Sequence, residues 1–225
     1  MTDGTHADPL HLAELMAARL CHDLSGSVGT MAGMVELAHE EPADAEEALR
    51  IIGQTTDGLI ARIRLLRAAW GGDCGAMDIG TLAGLVTAGL ARKKVSIDVS
   101  GLVGTAPGET CLAPDTARLL LNVLILGVES LPSGGTLTCA GQPGGDILIS
   151  IAGPRAAWPA RLAACLTDPS AVRELITSPR SIQLPFTALL ASRPGPRLAM
   201  LFGAASQDAA PPLLISHPRH QGSLV

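Results

Sequence analysis

Aromatic side chains are scarce in this chain: its 225 residues include two Trp, two Phe and no Tyr. Such a sequence lacks the ring platforms on which single-stranded nucleic acid stacks, and its core must be aliphatic. An excess of positive charge is missing too. Sixteen Lys and Arg face 21 Asp and Glu, for a net charge of -5, which argues against a nucleic-acid footprint. The longest apolar run, 119–128, is interrupted by Asn122 and Gly127 and falls short of the roughly 18 to 20 residues of a membrane span. The first nine residues are polar, without the basic region or apolar core of an export signal. A cytoplasmic chain with no membrane partner is the expectation. The five cysteines (Cys21, Cys74, Cys111, Cys139, Cys165) are odd in number and form no CxxC pair, so they support neither a disulfide framework nor a zinc module. There is no internal repeat and no low-complexity segment.

Aliphatic residues, by contrast, are abundant, and the hydrophobic content of 47% is ample for a globular core. Leu12, Leu15, Leu20, Leu24, Val28, Met31, Val35 and Ala38 recur every three or four positions, which predicts one long amphipathic helix from Pro9 or Leu10 to about His39. Asp8 suits its N-cap and Pro9 its first turn. Glu40-Glu41-Pro42-Ala43-Asp44 breaks the pattern. Asp44 is then expected to cap a second helix whose first turn carries Glu46 and Glu47, where the helix dipole favours acids. Leu49, Ile52, Thr56, Leu59, Ile63, Leu66 and Trp70 follow a three-four alternation through it, a coiled-coil-like seam. Two long helices in a hairpin cannot enclose a core, and a second row with Ile51 and Ile60 needs cover. Pairing with an identical hairpin in a four-helix bundle is the economical solution, which predicts a homodimer; cover by the second half of the same chain is the alternative.

One titratable group stands off the stripe of the first helix. His22 lies two residues from both Leu20 and Leu24, and at about 100° per residue that turns it roughly 200° away from each. Its imidazole should face outward, beside Asp23. Ala18, Gly26, Gly29 and Gly33 share its face, and Ser25 lies next to them. Each glycine should destabilise a helix by about 0.5 to 1 kcal/mol relative to alanine. The residues therefore suggest close approach by another backbone, or packing on the chain's own second helix.

The pattern changes after the glycine-rich joint Gly71-Gly72-Asp73-Cys74-Gly75-Ala76. Asp78 is expected to cap a helix over 79–91, and Asp115 an apolar helix over 116–130. Alternation predicts strands at 95–99, 136–140 and 147–151, with further strands near 198–202 and 213–215. Helical pieces fall at 160–166, 171–176 and 182–191. The order suggests an α+β sandwich with helices on one face of a mixed sheet. The domain division is a flexible N-terminus (1–9), a helical hairpin (10–70), a linker (71–77), a sandwich domain (78–216) and a frayed tail (217–225).

The string Ala17-Ala18-Arg19-Leu20-Cys21-His22-Asp23, followed by a helical hairpin and an α+β half, resembles the ChpT-type histidine phosphotransferases of alphaproteobacterial phosphorelays. The resemblance covers nearly the whole chain. Such proteins look like histidine kinases in which a dimerising hairpin carries the phosphorylated His beside a degenerate ATPase-like α/β sandwich. In the second half, Leu121-Asn122-Val123-Leu124-Ile125-Leu126-Gly127 resembles an asparagine-box helix with Leu126 where a second, metal-holding asparagine is expected. Ile151-Ala152-Gly153-Pro154-Arg155 resembles a glycine box without its adenine-reading aspartate. Some relatives carry proline shortly after the His, where this chain has Gly26-Ser27.

The resemblance implies a phosphotransferase that accepts a phosphoryl group on His22 from a receiver-domain aspartate and passes it to another response regulator. Asp23 is the candidate to orient the ring and stabilise its developing charge. Arg19, Ser25, Gly26, Gly29 and Gly33 form the candidate phosphate and partner surface, with Arg62, Arg64 and Arg67 on the second helix as weaker candidates. No cofactor is expected in this chain, and Mg2+ should arrive with the receiver's acidic pocket. The partners implied are a second copy of the chain, the receiver domain of a hybrid histidine kinase and those of response regulators. A true ATP-dependent histidine kinase and a non-catalytic dimeric adaptor are the rival readings.

Overall fold

A computed structural model of the chain describes residues 8–72, 75–91, 94–104, 111–202 and 208–217. Residues 1–7 of the expected flexible start, 218–225 of the expected tail, and Asp73 and Cys74 of the joint lie outside them; Pro9 already belongs to the first helix, and His217 is no frayed end, since its ring is hydrogen-bonded to Thr116 Oγ1 and the Gly145 carbonyl at 2.8 and 3.0 Å. Helix α1 runs Pro9–Glu40, opened by the Asp8 carboxylate accepting from Leu10 N at 2.9 Å and by proline in the first turn. A short 3-10 turn, Pro42–Asp44, leads into α2, Ala45–Trp70. Asp44 does not cap α2 with its side chain: its φ of -97° and ψ of 1° are those of a turn, not the extended geometry that aims a carboxylate at the first amides.

The second half begins with the two-residue strand β1 (Met77–Asp78), which pairs antiparallel with β3 (Cys111–Leu112); both are too short for periodicity to reveal. Asp78 caps α3 (Ile79–Gly89), accepting from Thr81 N at 2.9 Å. Helix α4 spans Pro114–Glu129 with Ala113 at its cap position, so Asp115 sits in the first turn and does not cap. Proline at the first helical position, with its φ already helical, starts the helix one residue earlier. The main sheet is built from β2 (Val95–Leu102), β4 (Gly135–Gly141), β5 (Ile147–Ala152), β6 (Arg197–Met200) and β7 (Leu213–Ser216) in the order β2-β4-β5-β7-β6, with β2 parallel to β4 and the other pairs antiparallel. Along β5 (Ile147–Ala152) the alternation is clean: Ile147, Ile149 and Ile151 are fully buried, and Leu148, Ser150 and Ala152 face outward. Helices α5 (Leu162–Thr167), α6 (Pro169–Glu174) and α7 (Gln183–Ala191) follow before β6 (Arg197–Met200) and β7 (Leu213–Ser216). One sheet face is thus covered and one open, the α+β sandwich that the sequence predicts.

Helix α4 explains the long apolar run. Residues 119–128 are buried on every side, because α4 lies between the sheet and the end of the hairpin. A Cβ on Gly127 would meet Leu137 Cδ1 at 2.4 Å, so any larger residue there would have to displace the buried Leu137 side chain between α4 and β4. Leu65, Leu66 and Ala69 from α2 enter the same core as α4 and the sheet, and Leu15 of α1 packs with Ile176 and Ile182. The second half therefore covers one end of the hairpin. It leaves the rest bare: Val28, Val35, Ile60 and two seam residues, Leu49 and Ile63, are exposed.

Candidate functional site

His22 projects from α1 with 65% of its side chain exposed, as its offset from the apolar stripe predicts. Its Nδ1 stands 3.7 Å from Asp23 Oδ1, beyond hydrogen-bond length. The Asp23 carboxylate is committed elsewhere: Oδ1 accepts from Arg19 Nε at 3.0 Å and Oδ2 from an Arg62 guanidinium nitrogen at 2.9 Å. Asp23 thus faces the ring without bonding it, clamped by guanidinium groups from both hairpin helices. Burial pushes its carboxyl up, but the Arg62 hydrogen bond and the charges of Arg19 and Arg62 outweigh this and hold it below the usual carboxylate range.

Arg19 is occupied on all sides. Besides Asp23, it donates to Glu129 Oε1 at 2.5 Å and to the carbonyls of Pro179 and Arg180 at 3.4 and 3.1 Å. It braces α1 against α4 and the turn before α7, and does not point as an open cation toward His22. Arg62 also reaches the Gly89 carbonyl at 3.5 Å. That contact is near because Gly89 ends α3 against α2; a Cβ there would meet Leu65 Cβ at 2.7 Å. His22, Asp23, Arg19, Arg62 and Glu129 line one cleft of about 460 Å3, floored by Ile125 and Val128. An apolar groove of about 470 Å3 between α5, α7 and β6 shares no lining residue with it.

The glycine face stands open. A Cβ at Gly26, Gly29 or Gly33 would meet nothing within 4 Å, so α2 does not pack there. Ser25 turns its hydroxyl back on its own helix, donating to Cys21 O at 2.6 Å. Glu129 was not anticipated, although there was a signal for it. It ends α4 at the C-terminus, where the helix dipole disfavours an acid, so a cationic partner was to be sought.

Asn122 is wholly buried. Its amide nitrogen donates to the Ala69 and Arg118 carbonyls at 2.7 and 2.9 Å, and its oxygen accepts from Gln183 Nε2 at 3.0 Å. The residue that resembles a kinase asparagine box here ties α2, α4 and α7 together. Among the described residues, no helix is long and apolar enough to cross a membrane.

The family model described as "Histidine phosphotransferase C-terminal domain" matches residues 80–205, just over half of the chain. The chain belongs to this family. It is 30% identical over 131 residues to the protein phosphotransferase ChpT of Brucella abortus (strain 2308), a match covering 57% of this chain and 59% of that protein. The solved structure "1.7 Angstrom Structure of a Bacterial Phosphotransferase" superposes with a TM-score of 0.71 at 23% identity, over 94% of this chain and 98% of that one. That likeness concerns the fold.

Proposed function

We propose that this chain is a cytoplasmic, homodimeric phosphorelay protein that takes a phosphoryl group from a receiver-domain aspartate onto His22 and passes it to another response regulator. The observation that carries the reading is the exposed His22 ring, with Nδ1 toward the clamped Asp23 carboxylate and open glycines along the same helix face. The negative carboxylate 3.7 Å from Nδ1 favours, by electrostatic attraction, the tautomer with its proton on that nitrogen, which leaves the lone pair on Nε2. Nε2 attacks phosphorus in line; the N–P bond forms as the receiver's P–O bond breaks, and the aspartate departs as a carboxylate. The ring gains positive charge as it accepts the group, and Asp23 stabilises it. Onward transfer is the reverse, on a second receiver's aspartate. In this reading the metal is the receiver's own, and the glycine face admits the receiver's backbone.

Dimerisation is supported by the apolar residues left bare on the hairpin, Val28 and Val35 on α1 and Leu49, Ile60 and Ile63 on α2, each set recurring at helical spacings. The test is transfer from a phosphorylated receiver to the full chain. Label should appear on His22, stable in alkali and labile in acid, and vanish in His22→Ala. Labelling by ATP alone would favour an autokinase, and an unlabelled wild type with intact signalling by His22→Ala would favour an adaptor.

A further inference from the structure

We propose, building on that reading, that Glu129 is a positioning residue for transfer at His22, acting through Arg19 and Asp23. Glu129 belongs to the sandwich half, a hundred residues away in sequence, yet its carboxylate lines the His22 cleft and accepts from Arg19 at 2.5 Å. It sits at the end of α4 against the unfavourable pole of the helix dipole, a position that fold stability by itself does not favour for an acid.

Its effect passes along a short chain. Arg19 lies one turn before His22, and a lone guanidinium there would be drawn to the dianionic group that His22 accepts. Glu129 and the carbonyls of Pro179 and Arg180 hold it back and fix its plane. The fixed Nε–H then pins Asp23 Oδ1, while Arg62 pins Oδ2. A carboxylate held at both oxygens cannot rotate, so Oδ1 stays presented to His22 Nδ1 at 3.7 Å. The sandwich half therefore completes the site on the hairpin.

The test uses the full chain carrying 15N-labelled histidine, with the His22 signal assigned by its loss in His22→Ala. Ring-nitrogen shifts report the tautomer before any phosphate is added. The wild type should hold the largest share of Nδ1–H form, Glu129→Gln, which keeps an acceptor, an intermediate share, and Glu129→Ala the smallest. Onward transfer should slow by roughly ten- to a hundredfold in Glu129→Ala. An Arg19→Gln and Glu129→Ala double variant should be no slower than the slower single, because both break one chain. Glu174→Gln, which removes an exposed ion pair with Arg161, should change neither readout. An unchanged tautomer in both Glu129 variants, or additive slowing in the double variant, overturns the proposal. A wild type that takes up no phosphoryl group overturns the relay reading instead, and the tautomer measurement still decides the positioning chain.

Discussion

Replacing Asp23 by asparagine isolates the energetics of the clamp. The carboxylate accepts two charge-assisted hydrogen bonds, at 3.0 and 2.9 Å, and only 14% of its side chain is exposed. Bonds of this type contribute about 1.5 to 3 kcal/mol each. Asparagine keeps one acceptor oxygen but turns an NH2 group onto the other guanidinium, so one bond is lost and a half-buried cation faces a donor. With part of the gain already offset by desolvation, the net loss at pH 7 should be about 2 to 3 kcal/mol. The pH dependence carries its own signature. Because the folded-state value of Asp23 is depressed, its contribution is fully present above the unfolded value of about 3.9 and is lost as pH falls through the folded value. Asparagine has no such titration. Urea denaturation of the two proteins at equal concentration, from about pH 7 down to about pH 3, should show the gap narrowing below about pH 4. A gap under about 0.5 kcal/mol at neutral pH, or one that stays constant into acid, would refute the reasoning.

Four further outcomes follow from particular positions. Gly29→Ala should stabilise the chain by about 0.5 to 1 kcal/mol in thermal denaturation, since the added Cβ meets nothing, whereas Gly29→Leu should slow transfer from a receiver without changing self-association in sedimentation. Ile63→Glu, at an exposed seam position on α2, should shift the proposed dimer toward monomer in the same measurement. Leu65→Ala should lower stability by about 2 to 5 kcal/mol and, because Leu65 is fully buried in a core shared by the hairpin and the sandwich, should leave a single unfolding transition.

Periodicity revealed the elements that are long and face one neighbour. The three-four spacing of Leu12 to Ala38 marks α1 and turns His22 outward, and alternation through Ile147, Ile149 and Ile151 marks β5 with its buried face. Local chemistry at Asp8 and Asp78 marked two true caps. It failed at Asp44, whose backbone is that of a turn, and at Asp115, because Pro114 starts α4 one residue earlier and leaves the extended Ala113 as the cap. The strands β1 and β3 escaped notice because a two-residue pairing has no period.

At the site, the hairpin helices were legible and the second half's share was not. His22, Asp23 and Arg19 stand within one turn of each other, so their grouping follows from helical geometry. What each side chain bonds does not: adjacency suggested that Asp23 orients His22 directly and that Arg19 faces the phosphate, whereas the fold gives Asp23 to two arginines and Arg19 to Glu129. Sequence determined the helix, the outward histidine and the glycines beside it, since those depend on spacing along one element. Only the tertiary structure decided the charge chain, because Arg62 and Glu129 reach the site from other helices, and long-range ion pairing leaves no periodic trace in a sequence.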